Sequence, residues 1–243
     1  MKKIHIIISI FLFWIACKDN IVKPDSIEKP IANTIQSSSL SKSINEYIKN
    51  ELDSDYILDD ELYKMYRQVL LSEKTFSFNF VVAESENEYY INNISYDGYE
   101  FIPHHFSFID MNNDTVPEIV IEGTIGMSAG FVFVLREYDG RIIGHEFSHR
   151  QMSDIKKDGT YHASGGAAYN GYYQLSFNDD SYLQHNIVRM DTEEDSNGEY
   201  KPIYFIFEKQ VEEKDFWKLW EVQKNKEEPT WINFELRGDQ YLR

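Results

Sequence analysis

The sequence has little cysteine and little positive charge. Of its 243 residues one is cysteine, Cys17, which excludes a disulfide framework and a cysteine-built zinc ribbon, because both need several thiols at set spacings. Basic residues number 24 against 41 acidic ones, a formal charge of −17. A surface of that sign repels phosphate backbones, so nucleic acid is not an expected partner. What is present, 42% hydrophobic and 15% aromatic residues with 27% charged, excludes a disordered tail, a collagen-like fibre and a multi-span membrane protein. It predicts a chain that folds and buries a core.

Met1-Lys2-Lys3 is a short positive start, and Ile4 to Ile15 is apolar apart from His5 and Ser9. A membrane-crossing helix needs roughly 20 apolar residues, so this shorter run has the proportions of an export signal. Trp14-Ile15-Ala16-Cys17 resembles the lipobox of bacterial lipoproteins, with Trp14 standing where that family usually has Leu or another aliphatic. The resemblance implies cleavage before Cys17, lipid on its thiol, and a place at the cell membrane facing outside the cytoplasm. An uncleaved signal anchor with an incidental cysteine is the alternative. The expected organisation is a signal peptide over 1–16, a flexible tether over 17–38 and a single domain over 39–243. Cleavage removes Lys2 and Lys3 and no acid, taking the charge from −17 to −19.

Within the domain, Ile44, Tyr47, Ile48 and Leu52 recur at helical spacing, and after Asp59-Asp60 so do Leu62, Tyr66, Val69 and Leu70. From Thr75 the chain turns β-branched and aromatic, in runs such as TFSFNFVVA, FIPHHFSFI, EIVIEG, GFVFVLREY, GYYQLSF, YLQHNIVRM and KPIYFIFEK. Asp97-Gly98, Asp139-Gly140, Asp158-Gly159 and Asn197-Gly198 offer hairpin chemistry between them. Near the end Phe216, Leu219, Trp220 and Gln223 form the stripe of an amphipathic helix, with Trp217 and Trp220 expected in the core and Trp231 nearby. The expected fold class is α+β, an antiparallel β-sheet with two N-terminal helices and one C-terminal helix packed on it.

Between two strand-like runs lies Asp110-Met-Asn112-Asn-Asp114-Thr-Val116-Pro-Glu118, with oxygen ligands at every second residue. Calcium takes oxygens from carboxylates, amides and backbone carbonyls, and a tight loop can supply Asp110, Asn112, Asp114, the Val116 carbonyl and Glu118. An EF-hand is excluded, because Thr115 stands where that loop needs Gly, Ile121 where it needs the bidentate Glu, and the flanks read as strands. The segment resembles the strand-loop-strand calcium loops of FG-GAP and VCBS-like repeats, and more closely the single acidic loop of many uncharacterised secreted bacterial lipoproteins. Those proteins tend to carry a D-G-T and then an S-G-G-A downstream, here Asp158-Gly159-Thr160 and Ser164-Gly165-Gly166-Ala167. The resemblance spans roughly Phe101 to Phe177 and implies a lipid-anchored domain and a bound calcium, and nothing about catalysis. Asn113 and Thr115 occupy positions often held by Gly in such loops. The competing reading is a polar turn whose Asp and Asn side chains cap backbone amides.

Two further segments match catalytic patterns. His145-Glu146-Phe-Ser-His149 matches H-E-x-x-H, which binds zinc when a helix turns both histidines to one side, with Glu193 or Glu194 as a third ligand. Residues 141–150 also alternate as a strand, with Ile143, His145, Phe147 and His149 on one side, and a strand there removes the zinc geometry. Gly126-Met-Ser128-Ala-Gly130 matches the nucleophile elbow but is followed by FVFVL, a strand where the elbow needs a helix. The glycine-rich run from Ser164 to Gly171 reads as a hairpin tip, and the acidic run Asp191 to Asp195 as a solvated loop. The expected function is therefore that of a lipid-anchored surface protein, more a binding or interaction module than an enzyme. Its partners would be the membrane, through lipid on Cys17, and an unidentified protein or surface ligand. Calcium is the expected cofactor, and the alternative is a zinc-dependent hydrolase built on His145, Glu146 and His149.

Overall fold

The computed structural model describes residues 40–46, 56, 58–78, 88–96, 98–126, 130–166 and 169–234. Residues 40–46 are helical (α1) and bury Leu40 and Ile44. The second helix, α2 (Asp60–Leu70), starts where Asp59 accepts the Leu62 amide at 2.8 Å, with Asp60 and Glu61 in its first turn. Both features satisfy or complement the unpaired amides of a helix start. Its buried Met65, Tyr66, Val69 and Leu70 fall at spacings of three and four, so one face is apolar. Neither helix, nor any other among the described residues, is long and apolar enough to cross a membrane.

The strands follow in chain order: β1 (Phe76–Phe78), β2 (Glu88–Tyr89), β3 (Ser95–Tyr96), β4 (Tyr99–Ile109), β5 (Glu118–Ile125), β6 (Gly130–Tyr138) and β7 (Arg141–Ser148). Then come β8 (Tyr161–Gly166), β9 (Tyr169–Asn178), β10 (Ser181–Glu194), β11 (Tyr200–Ile206), β12 (Lys209–Val211), helix α3 (Glu213–Lys224) and β13 (Ile232–Asn233). The α+β class is as expected, with helices packed on sheet faces. The strands divide, however, between two sheets. The first runs β13-β4-β5-β6-β7-β1-β2, with β3 on β4, and the second runs β12-β11-β10-β9-β8. Pairing is antiparallel throughout the described residues except between β1 and β7.

Alternation along β5 and β6 explains how two sheets stack. Ile119, Ile121, Phe133 and Leu135 join α1 and α2 in one core, while Val120, Val132 and Val134 face the other way. There they meet Tyr161 and Leu175 of the second sheet, with Trp231 at the margin. The outer face of the second sheet, through Tyr172, Val188 and Tyr204, is covered by Phe216, Leu219 and Trp220 of α3. The layers therefore run helices, sheet, sheet, helix, each apolar face being buried against a neighbour.

Three local expectations need correction. Trp217 is not core: it is 43% exposed, while Phe216 and Trp220 take the inward positions. Asp191 to Glu194 is not a loop but the end of β10, where Asp191 pairs with Arg189. KPIYFIFEK is not one strand, because Phe207 and Glu208, both at positive φ, turn the chain between β11 and β12.

Candidate functional site

The acidic loop joins β4 to β5, whose ladder closes at Ile109 opposite Glu118. Asp110 accepts two amides, Asp114 N–H at 3.1 Å on Oδ1 and Thr115 N–H at 2.8 Å on Oδ2. Asn112 Oδ1 also accepts from the Asp114 amide, and Asp114 Oδ1 accepts from the Val116 amide at 2.8 Å. Asn112 Nδ2 donates to Asp114 Oδ2 at 2.7 Å, and Glu118 Oε2 accepts the Met111 amide at 2.8 Å. Drawing these groups together forces Asn113 to φ 63° and Thr115 to φ 73°. Asn tolerates that region; a β-branched Thr does not, and stores strain there. The bonds themselves are those of the polar capping turn, and Asp110, Asn112, Asp114, Val116 and Glu118 all belong to it.

Burial makes the loop electrostatically tense. Asp110 is 7% and Glu118 3% exposed. Burial holds the Glu118 carboxyl well above the usual carboxylate range, with Asp114 and Asp110 adding repulsion, while the Met111 amide and Arg136 oppose the shift. The ladder that sets Ile119 against Leu135 brings Glu118 beside Arg136. The Arg136 guanidinium lies 4.6 Å from the Phe177 ring centre and donates to the Asp179 carbonyl. No three of the described His, Cys, Asp and Glu side chains converge as a ready metal cluster.

The downstream D-G-T segment reaches this loop directly. A methyl group placed on Gly159 would lie 2.1 Å from the Asp110 carbonyl oxygen and 2.8 Å from Met111 Cα. Asp158 is held by Lys226 at 2.6 Å and by the Thr160 hydroxyl at 2.7 Å. Beside the turn, Tyr56, Lys157, Asp158, Lys226 and Glu227 line a cleft of about 350 Å³. Its lysines are already paired, Lys226 with Asp158 and Lys157 with Glu227. Ser164, Gly165 and Gly166 lie apart from the loop, at the far end of β8, where they form the β8–β9 hairpin.

The zinc arrangement is not assembled. Residues Arg141–Ser148 form β7, and a strand sends neighbouring side chains to opposite faces. His145 lies between the sheets, its ring stacked on Phe177 at 5.4 Å and edge-on to Tyr182. Burial, then Arg136, pushes it down to about 3. Glu146 accepts the Tyr96 hydroxyl at the end of the opposite core, where burial raises its carboxyl. His149 follows the strand on an exposed turn. Glu193 and Glu194, the candidate third ligands, end β10 in the other sheet.

One polar cluster carries no motif in the sequence. Lys156 is 1% exposed and donates to Asp154 at 2.7 Å and Glu228 at 2.5 Å, while Tyr172 O–H donates to Asp154 at 2.6 Å. Its only local signal is the hydrogen-bonding capacity of Asp154, which sits at φ 47°. Cys17, the signal and tether segments, Ser128 and Ala167 lie outside the described residues. No family model, curated protein or solved structure matches the chain.

Proposed function

We propose that this chain is a lipid-anchored protein facing outside the cytoplasm, that its two-sheet domain is a binding or interaction module, and that its acidic loop holds calcium. The observation that carries the metal reading is the burial of Asp110 and Glu118 in one turn with Asp114 close by. Buried carboxylates need compensating charge, and Arg136 supplies one positive group for three acids. The donors are all oxygen, which suits a hard cation such as calcium and not zinc. Each carboxylate oxygen that accepts an amide keeps a second lone pair. Asp110, Asn112, Asp114, the Val116 carbonyl and Glu118 would hold the ion. When bound it would supply charge compensation and hold the turn together.

The anchor rests on Cys17 in its lipobox-like setting. Metabolic labelling with a fatty-acid probe should mark wild type and not Cys17→Ser; equal labelling would end the anchor reading. Thermal melting tests the metal. Calcium at about 100 times its Kd should raise the Tm by roughly 5–10 °C over chelator, and Asp110→Ala/Asp114→Ala should lose the shift. Equal melting temperatures throughout would sink the calcium reading.

A further inference from the structure

We propose that the Asp158–Gly159–Thr160 turn is a mechanical link between the acidic loop and the chain leaving α3, with Gly159 as its contact point. The link does not require a cation in the loop.

At one end the contact is backbone against backbone. Gly159 has φ +76°, and the nearest atoms to an added methyl would be Asp110 O, Met111 Cα and Asp110 C, at 2.1, 2.8 and 3.0 Å. None of these is the flexible end of a side chain, so neither segment shifts without moving the other. The same left-handed conformation occurs at Gly140, where nothing lies within 4 Å. Among the described left-handed glycines, Gly159 alone meets backbone this closely.

At the other end, successive residues are tied to the segment after α3. Lys226 Nζ bonds Asp158 at 2.6 Å and Thr160 Oγ1 at 3.3 Å, the Lys157 amide donates to the Glu227 carbonyl at 2.9 Å, and Lys156 donates to Glu228 at 2.5 Å. The turn between the two ends is closed on itself: the Lys156 amide donates to the Thr160 carbonyl at 2.7 Å and the Gly159 amide to the Lys156 carbonyl at 3.0 Å. It moves as one piece. A packed piece gripped at both ends passes displacement in either direction, and the coupling is reciprocal.

Hydrogen exchange on the full-length protein tests this from both sides. Lys226→Met touches nothing in the acidic loop, yet the Asp114 and Thr115 amides, which donate to Asp110, should exchange about tenfold faster. Asp110→Asn should likewise speed the Lys157 amide, which donates to Glu227. Lys201→Met, which removes the Lys201–Asp195 pair at 2.7 Å, should leave all three amides unchanged. The proposal is overturned if Lys226→Met leaves Asp114 and Thr115 at wild-type rates, or if Lys201→Met speeds them equally. Gly159→Ala should loosen both ends while Gly140→Ala loosens neither. If Gly159→Ala does not fold, the Lys226 and Asp110 variants decide alone.

Discussion

Arg136 donates its Nε–H to Nε2 of His145 at 3.3 Å in the space between the sheets. The ring is thereby fixed as the neutral tautomer with its proton on Nδ1. Burial first, and Arg136 second, push the group from 6.5 down to about 3.

That depression sets the sign of an acid response. Below pH 6.5 the unfolded chain takes up a proton that folded His145 refuses, so stability falls as pH drops from 6.5 towards 3. By pH 4.5 the loss should be on the order of 2 kcal/mol. His145→Gln keeps an acceptor for Arg136 and does not titrate. Urea unfolding at pH 7 and 4.5 should show a smaller drop in stability for the variant than for wild type. Equal drops would mean that His145 is protonated in the folded protein.

Glu118 titrates in the opposite sense. Its folded carboxyl is raised by burial, so its contribution to stability is present below the unfolded value of 4.5 and is lost as pH rises towards the folded one. Near neutral pH without metal, burying the Glu118 carboxyl costs stability relative to the unfolded chain, where it is ionised. Glu118→Gln keeps an acceptor for the Met111 amide and removes the charge. It should melt a few degrees above wild type in chelator at pH 7, and gain less from calcium. Melting curves in the two buffers check both halves, and a Glu118→Gln protein less stable than wild type in chelator would contradict the electrostatic account.

The elements were legible where local chemistry specifies them. Asp59 before an apolar stripe marks α2, and Asp139-Gly140, both at positive φ, closes the β6–β7 hairpin between Tyr138 and Arg141. The alternating oxygens of the acidic loop were equally visible. The division into two sheets was not, because Val132 and Phe133 are both apolar and nothing local says that they face different cores. The tension at Glu118 was hidden too, since it comes from burial that only the packed fold supplies, with Arg136 brought alongside by the register to oppose it. Lys156 and Glu228 are 72 residues apart, beyond any periodic pattern. His145-Glu146-x-x-His149 matched a motif whose chemistry needs a helix, and the β-rich surroundings made it a strand.

Thr115 measures what the loop conformation costs. At φ 73° its branched side chain crowds the backbone, a strain of about 1–3 kcal/mol, while Gly would give back about 0.5–1 kcal/mol through unfolded-state freedom. Its amide bond to Asp110 survives the change. Thr115→Gly should therefore raise stability by roughly 1 kcal/mol, read as a higher urea midpoint at unchanged slope. Asn113→Gly should do less, because Asn adopts this region readily. A loss of stability in Thr115→Gly would show that its side chain supports the turn.

Phe207 offers the same kind of test at a second turn. Ile206 pairs with Lys209, leaving Phe207 and Glu208 as a two-residue hairpin loop, both with positive φ. Such turns favour Asn-Gly, since other side chains crowd the backbone there. Phe207 is 62% exposed, so its ring contributes little burial in return. Glu208, by contrast, accepts from the Asn186 side-chain amide and should be kept. Phe207→Asn should then raise stability by roughly 1 kcal/mol, while Glu208→Gly should gain less because it leaves Asn186 without that acceptor. Urea unfolding of the two single variants separates the backbone effect from the side-chain contact. If Phe207→Asn destabilises the protein, the exposed ring is supporting the hairpin through contacts that outweigh its strain.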